Sequence, residues 1–234
     1  MKSFLQVSTA VFIIALSLMT MPAHAKLILT VTDLNTFADN VFTDLDYGIP
    51  GATISGTPGV VIFDSVSSPI LGEYWTGAGV VNVSNYADTS DFGTLGTASF
   101  SLNALMTGDN VAISVLADEY LNPVGSPIGF ETIVNASTLV DTSYDFVVNV
   151  GPGFQLLNAL DIADTGTYSN SAIYDVAAPF SIQHSIRLGA SEIGGDLGVD
   201  MSTRAYLVPE PLSAGLLGIG LLGLGLTRKY RKGA

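Results

Sequence analysis

Cysteine is absent from all 234 residues, which removes disulfide staples, thiol nucleophiles and thiolate metal ligands together. The fold must be held by burial and hydrogen bonding. Cations are nearly as scarce where they would matter. The chain has 8 Lys and Arg against 21 Asp and Glu, and only Lys26, Arg187 and Arg204 fall between residues 26 and 208, where all but one of the acids lie. That stretch carries roughly −17 charges and repels polyanions over a range of several ångströms. Nucleic-acid binding, which depends on phosphate neutralisation by Lys and Arg, is excluded, as is direct attachment to an anionic membrane or acidic polysaccharide.

Histidine is the next shortage, with 2 in the chain. His24 belongs to an expected leader. His184 shares its parity with Phe180, Ile182, Ile186 and Leu188, so in a strand it points to the apolar side as a core histidine holding one hydrogen bond. A Ser-His-Asp triad would need that residue, and no Gly-x-Ser-x-Gly turn is present to pair with it. His-Glu-x-x-His zinc chemistry and both glycine-rich phosphate loops are missing as well. The chain is therefore expected not to be an enzyme. Two carboxylates at an unspecified separation could still hydrolyse a glycoside, so a glycosidase stays as the third reading.

What the sequence does contain is concentrated at its ends. Lys2, an apolar run over residues 7–19, and Ala23-His24-Ala25 form the charged, apolar and small-x-small parts of a signal peptide, so signal peptidase is an expected partner cutting after Ala25. At the other end stands Val208-Pro209-Glu210-Pro211, followed by a glycine-rich apolar run to Leu226 and then Arg228, Lys229, Arg231 and Lys232. About 15 apolar residues make a helix near 22 Å, short for a bilayer core of about 30 Å. The basic cluster would snorkel and hold that end in the cytoplasm. This order of parts resembles the PEP-CTERM sorting signal of exported bacterial proteins. The resemblance implies an exosortase as partner and cleavage near Pro209-Glu210-Pro211. It also implies a membrane-anchored precursor that passes to the cell surface or extracellular matrix of a Gram-negative, exopolysaccharide-producing bacterium. The division is then a signal peptide over 1–25, an ectodomain over 26–207, and a sorting signal over 208–234. The last comprises the motif at 208–211, a transmembrane helix at 212–227 and a basic tail at 228–234.

Between the ends, alternation with period two recurs and helical periodicity does not, which predicts an all-β fold, a single β-sandwich or jelly roll. Strands are expected over 27–32, 60–65, 79–83, 97–102, 111–117, 144–150, 180–188 and 204–208. Gly108-Asp109-Asn110 is the best local hairpin signal. Residues 36–41 and 154–162 stay open between strand and other structure, the second with a short helix as its alternative.

Two ligand constellations can be read here. Glu73-Tyr74-Trp75 sets an acid beside the only Trp, as a sugar-binding loop would, and makes a carbohydrate-binding module the alternative to a structural or adhesive surface protein. Asp39, Asp44 and Asp46 are hard oxygen donors close in sequence and make Ca²⁺ the one cofactor to consider, although Asp44-Leu45-Asp46-Tyr47-Gly48 lacks the third donor and distal Glu of an EF-hand. Extracellular polysaccharide is the remaining expected partner.

Overall fold

The computed structural model describes residues 26–208 apart from 85–90, 121–126, 152 and 177–178. Ala23, Ala25, Pro209, Glu210, Pro211 and the basic residues Arg228, Lys229, Arg231 and Lys232 lie outside the described residues, as does the expected 212–227 span. Among the described residues no helix is long and apolar enough to cross a membrane.

The described elements, in chain order, are β1 (Lys26–Asp33), β2 (Asp39–Thr43), β3 (Thr53–Ile54), β4 (Val60–Asp64), α1 (Pro69–Tyr74), β5 (Trp75–Ser84), β6 (Asp91–Ala104), β7 (Gly108–Tyr120), β8 (Ile128–Val140), β9 (Thr142–Val150), β10 (Phe154–Ile162), β11 (Gly166–Tyr174), β12 (Phe180–Ala190) and β13 (Asp196–Leu207). They form two sheets. Sheet A has seven strands in the order β10-β9-β12-β7-β1-β2-β3, and sheet B has six in the order β11-β8-β13-β6-β5-β4. Every pairing is antiparallel except the short β2–β3 bridge.

The sandwich follows from alternation. Leu27, Leu29 and Val31 of β1, Val111, Ile113 and Val115 of β7, and Phe146, Val148 and Val150 of β9 are buried from sheet A. They meet Phe100 and Leu102 of β6, Phe130 and Val134 of β8, and Leu197, Val199 and Met201 of β13 from sheet B. Every second side chain thus leaves water, each large one worth about 1.5–3 kcal/mol. Gly79 belongs to this packing, because a Cβ there would sit 2.5 Å from the Phe63 ring and 2.6 Å from that of Phe100.

All eight expected strands are present, most of them longer than expected. Residues 154–162, left open, form strand β10, and β2 occupies the end of the other open stretch. β3, β8 and β11 were not anticipated. The Gly108-Asp109-Asn110 expectation needs correction. Gly108 does take a positive φ of 98°, but β6 pairs with β5 and β13 while β7 pairs with β1 and β12. The chain crosses between sheets at this turn. Turn chemistry reverses the chain, while the inward rows of β6 and β7 bury each other across the core, which a hairpin within one sheet would not allow.

The α1 start is written in the sequence. Ser68 caps it by accepting from the Leu71 amide at 3.2 Å, and Pro69 stands in the first turn. The helix buries Leu71 and Tyr74 and delivers Trp75 directly into β5.

Candidate functional site

Trp75 is 0% exposed and lies opposite Ala104 in the β5–β6 ladder, its indole N–H without an acceptor among the described residues. The expected Glu73-Tyr74-Trp75 ligand site is therefore corrected. Odd-numbered residues of β5 face the core, so the ring fills the sandwich and no sugar reaches it. Tyr74 is 6% exposed, with its hydroxyl accepting from Asn35 Nδ2 at 3.4 Å, and Glu73 alone is open to solvent.

Asp39, Asp44 and Asp46 are likewise not brought together. Asp44 is fully buried, and its two oxygens accept from the Leu27 amide at 3.3 Å and the Gly59 amide at 2.7 Å. Asp46 caps its own turn through the Gly48 amide at 2.9 Å, and Asp39 accepts from the Thr32 hydroxyl at 2.6 Å. These carboxylates stitch turns and β1 in place. No group of three or more His, Asp or Glu gathers into a metal-holding arrangement among the described residues.

His184 sits on the inner face of β12 as its parity predicts, 1% exposed, its ring edge-on to Phe146 with centroids 5.8 Å apart. Its Nε2 lies 2.6 Å from Thr203 Oγ1, which lies 2.7 Å from Thr132 Oγ1. The Thr132 hydroxyl donates to the Ser202 carbonyl at 3.0 Å. Each hydroxyl has one proton, so the chain has one direction: Thr132 gives to the carbonyl, Thr203 to Thr132, and His184 Nε2–H to Thr203. Nε2 thereby carries a proton, and Nδ1 has no partner among the described residues. Burial pushes its pKa down to about 3. A base sealed between two sheets is out of reach of any substrate.

The outer side of sheet B is an extended polar face that combines an aromatic ring, ordered carboxylates and a pocket. Along β13 the inward residues are Leu197, Val199, Met201, Thr203 and Ala205, and the outward ones are Asp196, Gly198, Asp200, Ser202, Arg204 and Tyr206. On one flank Asp196 is opposite Asn103, Gly198 opposite Ser101 and Asp200 opposite Ser99. Asn103 donates to Asp196, and Ser99 donates to Asp200 at 2.5 Å. On the other flank Gly198 is opposite Thr138, after which the register shifts so that Val199 faces Ala136. The extra residue, Ser137, donates to the Gly198 carbonyl at 3.1 Å. A Cβ on Gly198 would come within 2.8 Å of the Ser137 hydroxyl. This bulge and the missing side chain leave a shallow pocket of about 190 Å³, lined by Ser101, Leu102, Thr138, Asp196, Leu197 and Gly198.

At the other end of the same row the Tyr206 ring lies flat on Gly129, where a Cβ would meet Tyr206 Cζ at 2.3 Å. The Arg204 guanidinium sits 5.5 Å from the ring centroid and 3.9 Å from the Glu131 carboxylate. A glycine that lets an aromatic ring lie down on a sheet makes a stacking surface. Asp196 and Asp200, four residues apart on one strand, are separated by about 13 Å, beyond the 6.5–9.5 Å that inverting glycoside hydrolysis uses.

None of these residues was read as part of a sugar-binding face in the sequence, although a signal existed. From Asp196 to Tyr206 the even positions are polar, glycine or aromatic, and the odd ones are apolar apart from Thr203.

No family model and no curated protein matches this chain. Among solved structures, TmCBM61 in complex with β-1,4-galactotriose aligns at a TM-score of 0.32 and 9% identity, over 62% of this chain and 99% of that one. A PA14 sugar-binding domain from an RTX adhesin aligns at 0.31 and 9%, over 79% and 94%. The enzymatically active domain of bacteriophage CBA120 tailspike protein 4 aligns at 0.28 and 13%, over 64% of this chain and 19% of that one.

Proposed function

We propose that this chain is an exported, non-catalytic surface module that holds neutral polysaccharide against the outer face of sheet B. The observation that carries it is the row from the flat Tyr206 ring to the Gly198 pocket, in which Ser99 and Asn103 orient the carboxylates of Asp200 and Asp196. An aromatic face takes the apolar side of a sugar ring, and oriented carboxylates, amides and hydroxyls accept and donate to its hydroxyls. The excess of acid on the chain selects neutral glycans over acidic ones. Delivery fits the motifs at the two ends. Signal peptidase would cut after Ala25 and an exosortase near Pro209-Glu210-Pro211, leaving the module on the cell surface or in the surrounding matrix as a structural or adhesive component.

The test is binding of the full chain to a panel of neutral and acidic polysaccharides, with calorimetry on the best ligand. Tyr206→Ala is expected to weaken binding about tenfold, equivalent to ~1.4 kcal/mol. A bulkier Gly198→Val, which fills the pocket, is expected to do the same, while Glu73→Gln leaves affinity unchanged. Affinity that is insensitive to Tyr206 and Gly198, in variants whose melting is unaltered, would rule out this face.

A further inference from the structure

The two sheets have four edges, and three are protected. β3 is two residues long. β4 is five residues and ends in Asp64. β10 is bulged twice, between Gln155 and Leu157 and between Ala159 and Ile162, with Asp161 at a φ of 52°. Short length, charge and bulges are the devices that keep an edge from templating another strand. β11 has none of them. Its nine residues, Gly-Thr-Tyr-Ser-Asn-Ser-Ala-Ile-Tyr, contain no charge and no proline, and they pair with β8 in one unbroken register from Gly166 opposite Ala136 to Tyr174 opposite Ile128. Its other edge forms no ladder with a strand among the described residues.

We propose that β11 is the docking strand for a second copy of this chain, paired antiparallel about Asn170. Two observations select that occupant. The first is charge: two bodies each carrying a net −13 repel, and an uncharged strand is where they can touch without burying a carboxylate. The second is self-complementarity. A two-fold axis at Asn170 sets Gly166 opposite Tyr174 of the other copy and Tyr168 opposite Ala172 in the inward row. In the outward row it sets Thr167 opposite Ile173 and Ser169 opposite Ser171. Each tyrosine falls against a small residue, and no like charges are directly opposed. The inward side is already ordered for this. Tyr174 stacks on Phe154 with centroids 4.7 Å apart and donates its hydroxyl to the Gln155 carbonyl at 3.1 Å, and Asn170 donates to the Leu156 carbonyl. Pairing would join two copies of sheet B edge to edge into one continuous sheet. Asp164 and Asp175 flank the strand and confine the pairing to it, so added salt should strengthen association.

Because the chain has no cysteine, single introduced cysteines read the register directly. Directly opposed residues have Cα atoms about 4.5–5.5 Å apart, within disulfide reach, whereas residues displaced by two along the partner strand fall beyond about 7 Å. The full chain, purified in mild detergent, would be prepared as Ser169→Cys and Ser171→Cys, one carrying a size tag, and oxidised separately and mixed. Mixed samples are expected to give at least about tenfold more cross-linked dimer than either variant alone. In sedimentation, the double variant Ser169→Lys with Ser171→Lys should self-associate about tenfold more weakly, or ~1.4 kcal/mol. Mixing it with the corresponding Glu double variant should restore the dimer. Equal cross-linking in all samples, no cross-linking, or a monomeric unmodified chain across the concentration series would overturn the proposal.

Discussion

Acidification should destabilise this protein through His184 in particular. His184 is neutral in the folded state, with its pKa held near 3 by burial, while in the unfolded chain it titrates near 6.5. Between those values the unfolded state binds a proton that the folded state refuses, so stability rises with pH through the window. It is complete above about pH 6.5, falls as pH drops, and stops falling near pH 3. The full excursion is roughly 5 kcal/mol, and at pH 4.5 about 2–3 kcal/mol is already lost relative to pH 7.5. A domain of this size has some 5–15 kcal/mol in all. The assay is urea unfolding at pH 7.5 and pH 4.5, followed by the fluorescence of the single, fully buried Trp75. His184→Gln serves as the reference, because it keeps a donor near Thr203 and does not titrate. Asp33 and Asp64, whose carboxyls are held low by hydrogen bonds led by the Thr36 hydroxyl and the Ser67 amide respectively, are the same in both proteins and cancel in the comparison. Wild type should lose about 2–3 kcal/mol more than the variant across the interval. Equal losses would mean that His184 accepts its proton while folded, and the sealed Nε2-to-hydroxyl chain would be refuted.

Asp44→Ala removes two acceptors from buried amides, those of Leu27 and Gly59, and should cost about 2–4 kcal/mol in the same urea experiment. Gly79→Ala forces a methyl group against the Phe63 and Phe100 rings and should destabilise by about 1–3 kcal/mol without affecting glycan affinity. Intact mass spectrometry of protein recovered from the producing cell's surface should show a chain beginning at Lys26 and ending near Pro209–Pro211. A full-length cytoplasmic product would refute the export assignment.

The eight anticipated strands were legible because alternation is a local property: Phe100-Ser101-Leu102 or Val111-Ala112-Ile113 declares its two faces without reference to anything distant. β8 and β11 were not. Thr132 interrupts the inward row of β8 with a polar residue whose partner, Thr203, is 71 positions away. β11 is an edge strand with weakly apolar faces. The candidate site was legible in part, since the two-residue rhythm from Asp196 to Tyr206 lies in the sequence. That Ser99, Ser101 and Asn103 stand beside it does not, because the β6–β13 pairing joins segments about a hundred residues apart.

The sequence alone determined the exclusions and the faces. Without cysteine there is no thiol chemistry, the three cations between residues 26 and 208 leave little to neutralise a polyanion, and parity alone put His184 on the apolar side. Tertiary structure decided the partners. It made Gly108-Asp109-Asn110 a crossing between sheets, set Trp75 in the core, and turned Tyr206 to the outer face of sheet B. The reason is that alternation fixes which side of a strand is apolar, whereas which other apolar side covers it is settled by the total area that distant strands bury together.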